Sequence, residues 1–266
     1  ICDGDTRFAV IGDFGEAGGP EEDVAALVSG WRPDFVVTVG DNNYPDGTAS
    51  TIDENIGRYY AEYIYPYQGA YGPGAAHNRF FPSLGNHDYH KEDAAPYVNY
   101  FMLPGNERYY DVQRGPLHLF ILNSNWQEPD GRARDSLQAR WFNDKILASD
   151  AVWKIVVLHH TPYSSGRQHG SQVVMQWDYE GLGATAVIAG HEHLYERVER
   201  DGVVYITNGI GGRRRVYPFG DAVEGSAVRY NQDFGALLVT AGETCINFSF
   251  VNRDEAIIDS HTLSVK

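Results

Sequence analysis

Five short clusters, each placed where an apolar run gives out, constrain this chain more than anything else in it. In order they are Gly12-Asp13-Phe14-Gly15, Gly40-Asp41-Asn42-Asn43-Tyr44, Gly85-Asn86-His87-Asp88, His159-His160 and Gly190-His191-Glu192-His193. A strand that runs into a glycine turn sets the next side chain at the edge of its sheet. Open α/β sheets bind ligands there, beyond the carboxyl ends of their strands. Asp13, Asp41, Asn86, His160 and His191 each follow an extended segment, so donors far apart in the chain converge on one edge. Carboxylate, amide and imidazole donors without a thiolate select first-row ions such as iron, manganese or zinc. Their number fits two ions, with Asp41 the natural bridging carboxylate and a spacing of about 3.5–4 Å between the ions.

The pattern between the clusters is strand and helix in turn. Phe8 to Ile11 and Phe35 to Val39 read as strands, and Pro20 to Trp31 as a helix with apolar spacing at Val24, Leu27 and Val28. A Tyr-rich stretch from Ile52 to about Tyr67 reads as helical, its rings packing onto a sheet. Arg108 to Leu122 reads as a hairpin, Arg134 to Ala148 as an amphipathic helix, and Val152 to Leu158 and Thr185 to Ala189 as buried strands. Beyond Val198 the chain turns to β, with a tight turn at Asp201-Gly202 and strands around Leu237 to Thr240, Cys245 to Phe250 and Ala256 to His261. No repeat or linker divides it. The expectation is one α/β domain over residues 1–266. Its architecture is a four-layer αββα sandwich, two mixed β-sheets packed face to face with helices on both outer sides.

Bulk properties exclude several partners. A net charge of -15 argues against nucleic acid, since the longest basic run is Arg213-Arg214-Arg215, read as solvated. No apolar stretch approaches the roughly 20 residues of a membrane span. Bound cations dominate a local field whatever the global charge, so an acidic chain can still take an anionic substrate. The chain opens at Ile1-Cys2-Asp3, which is the expectation for a processed N-terminus. Cys2 and Cys245 are either a disulfide or two inert thiols.

At this point the residues resemble the calcineurin-like metallophosphoesterases and, within them, the purple acid phosphatases. That family carries Gly-Asp-x-Gly, Gly-Asp-x-x-Tyr, Gly-Asn-His followed by an acid, Val-x-x-His and Gly-His-x-His, in the order found here across roughly residues 7 to 262. The length is similar to the family's small form. The resemblance implies a first metal held by Asp13, Asp41, Tyr44 and His193, and a second held by Asp41, Asn86, His160 and His191. Val156-x-x-His159 fits the fourth motif as well as Val157-x-x-His160 does. His160 is chosen because it precedes a residue-proline step, Thr161-Pro162, leaving His159 as a packed residue behind it.

Tyr44, by the same resemblance, is a phenolate ligand. A free tyrosine ionises near pH 10, so ionisation at acidic pH needs Fe(III), paired with a divalent Fe, Zn or Mn. Asp13, Asp41 and the phenolate supply about -3 against +5, and the remainder favours a phosphate anion. The implied reaction is acid phosphatase hydrolysis of small phosphomonoesters by a metal-bound hydroxide. His87, with Asp88 the candidate to orient it, and His169 are the candidates to protonate the leaving alcohol. The rivals are a phosphodiesterase or nucleotide pyrophosphatase on the same site, and a non-hydrolytic metal- or phosphate-binding protein. An extracellular or periplasmic location follows from the resemblance, and the oligomeric state stays open.

Overall fold

The computed structural model describes residues 2, 4 and 6–265. In chain order the strands are β1 (Thr6–Ile11), β2 (Phe35–Thr38), β3 (Phe80–Pro82), β4 (Tyr110–Arg114), β5 (Leu117–Ile121), β6 (Trp153–His160) and β7 (Ala186–Gly190). They continue as β8 (Tyr195–Arg200), β9 (Val203–Asn208), β10 (Ser226–Tyr230), β11 (Gly235–Ala241), β12 (Cys245–Asn252) and β13 (Ile257–Ser264). The helices are α1 (Gly19–Trp31), α2 (Arg58–Tyr60), α3 (Ala95–Tyr100) and α4 (Leu137–Leu147).

Two mixed sheets result. The six-stranded sheet runs β13-β12-β11-β1-β2-β3, and the seven-stranded sheet runs β10-β8-β9-β7-β6-β5-β4. The parallel sets are β1, β2 and β3 in one and β5, β6, β7 and β9 in the other. The parallel strands carry the donors at their carboxyl ends. The late β segment splits between the sheets. Its β11 pairs antiparallel with β1, whereas β8, β9 and β10 extend the other sheet.

Period-two alternation divides β5 and β6 between two cores. Leu117, Leu119, Ile121, Ile155 and Val157 join the core shared with Phe8, Val37 and Phe248 of the facing sheet. Phe120, Leu122, Val156 and Leu158 face outward and are covered by Ala139, Phe142 and Ile146 of α4. Each fully buried side chain of this kind contributes about 1.5–3 kcal/mol. Ser136 caps α4, its Oγ accepting from the Ala139 amide at 3.1 Å. On the other side α1 packs Val24 and Val28 into the six-stranded sheet's core.

The helix expected over Ile52 to Tyr67 is shorter than its apolar pattern predicted: a π-turn, one turn of α2 and a 3-10 turn ending at Tyr63. Tyr60 and Tyr63 are buried while Tyr65 and Tyr71 stay exposed. Three elements had no sequence expectation, namely β3, α3 and β10. Cys2 and Cys245 form a disulfide. Among the described residues no helix is long and apolar enough to cross a membrane.

Candidate metal centre

The donors gather where the carboxyl ends of β1, β2, β6 and β7 meet between the sheets. The turns that deliver them are tight. Asp13, Asp41 and His191 all adopt positive φ (52°, 53° and 72°), a left-handed conformation that costs an L-residue about 1–2 kcal/mol. Such cost concentrates at functional sites. Gly85 is obligatory at the crossing of two loops, because a Cβ there would lie 2.1 Å from the Asp41 amide nitrogen.

Two groups of lone pairs result, joined by Asp41. In the first, Tyr44 Oη lies 2.8 Å from Asp41 Oδ2, 3.2 Å from Asp13 Oδ1 and 3.3 Å from His193 Nε2. His193 Nδ1 donates to the Arg215 carbonyl at 2.8 Å, so its Nε2 lone pair faces the group. In the second, His159 Nε2 lies 3.1 Å from Asn86 Oδ1, 3.1 Å from His191 Nδ1 and 3.4 Å from Asp41 Oδ1. His159 Nδ1 donates to the Val39 carbonyl at 2.8 Å, which again turns the Nε2 lone pair inward.

His159 therefore lies at the position expected of His160. His160 points the other way, its Nδ1 2.8 Å from Ser124 Oγ and its ring 4.3 Å from that of His191. A ring nitrogen of His160 lies within 4.8 Å of ligand atoms of His159 and His191, close enough for these three to hold an ion together. His159 keeps the parity of Ile155 and Val157, which face the space between the sheets, although the register of β6 on β7 shifts between Val157 and His160. Position relative to proline carried no such information.

The other expected residues separate clearly. His87 donates its amide to Asp41 Oδ1 at 2.8 Å and its Nδ1 contacts the Pro45 carbonyl at 2.5 Å, with the ring 4.4 Å from that of Tyr44. Asp88 does not orient His87. Its buried carboxylate accepts from Gly85 N at 2.8 Å, Asn42 Nδ2 at 2.9 Å and Asn42 N at 3.1 Å, strapping two ligand loops together. Burial, then the neighbouring Asp41, pushes Asp88 up to about 7. His169 sits exposed on the opposite side with its ring 4.0 Å from that of His191.

Four residues near the centre had no assigned role in the sequence. His90 stacks 4.2 Å from His87. Glu192 is fully buried, and its Oε1 accepts the amides of His169 at 2.5 Å and Gly170 at 2.6 Å. Tyr217 stacks on His193 at 4.3 Å. Arg213, expected to be solvated, lies 4.7 Å from the Tyr44 ring centroid and pairs with Glu16.

This donor set fits a pair of cations. Burial, then Asp41 and Asp13, raise the Tyr44 hydroxyl well above its ordinary value, so without a cation the phenol keeps its proton. Burial opposes charge on His159, yet Asp41, Asp13, the Val39 carbonyl and Asp88 together raise its pKa. Both shifts express one fact, an excess of buried negative charge at a point where oxygen and nitrogen lone pairs converge.

Residues 6–195 match the family model for calcineurin-like phosphoesterases, and the chain belongs to that family. Its relatives are purple acid phosphatases, and it is a phosphoester hydrolase. Purple acid phosphatase 17 of Arabidopsis thaliana is 25% identical over 244 residues, covering 79% of this chain and 70% of that protein. Purple acid phosphatase 3 of the same plant is 24% identical, covering 87% and 70%. Among solved structures, a purple acid phosphatase from yellow lupin seeds (Lupinus luteus) superposes with a TM-score of 0.78 at 18% identity. It covers 97% of this chain, which spans 53% of the lupin protein. The anchor in the inner membrane complex of Plasmodium superposes at 0.75 with 19% identity, covering 98% and 89%.

Proposed function

We propose that this chain is a dinuclear acid phosphatase for small phosphomonoesters, holding Fe(III) through Tyr44 beside a divalent Fe, Zn or Mn. Asp13, Asp41, Tyr44 and His193 would hold the first ion. Asp41, Asn86, His159 and His191 would hold the second. The observation that carries the reading is the Tyr44 hydroxyl, buried against two carboxylates and one imidazole. A phenolate there is untenable unless a highly charged cation reverses the sign of the local field. When bound, the ion pair would supply an acidified water and neutralise charge developing on phosphate.

The chain's own residues would do the rest. His87 and His169 stand on opposite flanks of the donors. With Nδ1 of His87 donating to the Pro45 carbonyl, a proton for a leaving alcohol would sit on Nε2, 3.9 Å from Asp41 Oδ2, in the imidazolium form. Arg213 and the Tyr44 ring close one wall, and Tyr217 covers His193. The Cys2–Cys245 disulfide supports an extracellular or periplasmic location, since such bonds persist in oxidising compartments. The fold alone does not decide activity, because the Plasmodium anchor shares it. The complete donor set favours hydrolysis. The test is the visible spectrum and aryl phosphatase rate of iron-loaded protein. A colourless sample in both oxidation states would defeat the tyrosinate, and absence of turnover would defeat the phosphatase.

A further inference from the structure

The loop after β5 carries a pair of side chains that the donor cluster does not use. Trp126 is 75% exposed, although Asn123, Ser124 and Asn125 just before it are fully buried. That stem is stitched to both sides of the centre. Ser124 Oγ contacts His160 Nδ1 at 2.8 Å, and Asn125 Nδ2 donates at 3.0 Å to the Leu84 carbonyl, next to Gly85-Asn86. An exposed indole carried on so firmly held a backbone is a place for a ring to stack.

Arg132 approaches the same stem from the other end of the loop. Its Nη1 donates to the Ser124 carbonyl at 2.9 Å, and among the described residues its guanidinium has no carboxylate partner. Of the three acids of its own loop, Glu128 and Asp130 both bind Arg108, at 3.1 and 3.0 Å, and Asp135 forms no ion pair with Arg132 among the described residues. A half-buried guanidinium left without an acid next to an anion-handling centre is a position open to an arriving anion.

We propose that Trp126 and Arg132 form the leaving-group subsite, selecting phosphoesters whose leaving group joins a planar ring to a second negative charge. The subsite rests on the phosphatase reading above. The indole takes the ring, the guanidinium takes the second charge, and Ser124 keeps both in register with the imidazoles.

The test uses four esters: 4-carboxyphenyl phosphate, phenyl phosphate, 3-phosphoglycerate and glycerol 2-phosphate, which carry ring and charge, ring alone, charge alone and neither. Comparing variant with wild type on each ester cancels intrinsic reactivity. Trp126→Ala should lower kcat/KM about tenfold more on the two ring esters than on glycerol 2-phosphate, in line with the loss of one ring-stacking contact. Arg132→Met should do the same for the two esters with a charged leaving group. Losses equal across all four esters, or none, would overturn the subsite. Calorimetric binding of 4-carboxybenzylphosphonate against methylphosphonate reads the subsite without turnover. A preference for the former that both variants erase, in a protein that hydrolyses none of the esters, would keep the subsite and discard the phosphatase. Equal binding of the two phosphonates would discard the subsite.

Discussion

Replacing His159 should empty the second metal position, whereas replacing His160 should not. His159 Nε2 faces Asn86 Oδ1, His191 Nδ1 and Asp41 Oδ1 at 3.1, 3.1 and 3.4 Å, so it is one of four donors to that position. Losing a partner that merely orients a ligand weakens metal affinity about 10–100-fold. Losing a donor itself should reach at least the upper end, about 100-fold, or roughly 2.7 kcal/mol. His159→Ala also strips the buried Val39 carbonyl of its donor, costing about 1–3 kcal/mol of stability, so retained folding must be checked by circular dichroism. His160→Ala removes the contact with Ser124 Oγ and the packing on His191, an orienting role worth about tenfold at most. The assay is elemental analysis after dialysis, followed by competition against a chelator. His159→Ala should keep one equivalent and His160→Ala two. If the equivalents come out reversed in folded protein, strand parity has misled us and the proline-based assignment stands.

Three further expectations follow from particular contacts. Tyr44→Phe should abolish visible absorption of the iron-loaded protein, and a band that persists would show that Tyr44 does not bind the iron. Glu192→Ala should free the turn carrying His169 and slow alkyl esters more than aryl esters, with Glu192→Gln restoring most of the rate because one oxygen still accepts both amides. If Gln behaves like Ala, the carboxylate does something other than hold that turn. Glu21 is buried with both oxygens unpartnered, and burial raises its pKa well above the ordinary value. The folded state therefore holds a proton that the unfolded chain releases above about pH 4.3, and stability falls as pH rises from there at about 1.4 kcal/mol per unit. Glu21→Gln should be more stable than wild type at pH 7 and no more stable at pH 4 in thermal melts. Parallel curves for the two proteins would refute the buried proton.

Features that the sequence made legible were those written locally. A glycine turn after an apolar run, followed by a donor, placed Asp13, Asp41, Asn86, His160 and His191 at or just after strands, because turn chemistry is decided within a few residues, whereas Tyr44 came only from the family resemblance. The Asp201-Gly202 turn was legible for the same reason, both residues having positive φ between β8 and β9. What stayed hidden depends on contacts from far along the chain. Asp88 sits beside His87 in sequence, yet its partners are Gly85 and, from the previous cluster, Asn42. Glu192 lies between two candidate ligands, and only the fold shows that it reaches back to His169 and Gly170. The strand β3 is three residues long and ends in proline, too short for any periodicity to register.

His159 is the instructive case, because strand parity bears on which of the two histidines faces the other sheet. The site forms between two sheets, so a ligand on β6 must share the parity of the residues that face the other sheet. In Trp153-Lys154-Ile155-Val156-Val157-Leu158-His159-His160 both parities are apolar, because one face packs on the opposite sheet and the other on α4. Hydrophobicity alone cannot tell those faces apart. The β-branched residues at 155 and 157 lie between the sheets and Leu158 lies under α4, but Val156 lies under α4 too, so residue type does not separate them either. The deciding information is the antiparallel neighbour: β4 and β5 form a hairpin whose Val112 and Leu119 are register partners in the inter-sheet core, and β5 passes that parity to β6 through Leu119 and Ile155. Once the register of β5 on β6 is known, parity carried from the hairpin across to the next strand reaches His159. The motif's own spacing, Val156 to His159, then agrees with it.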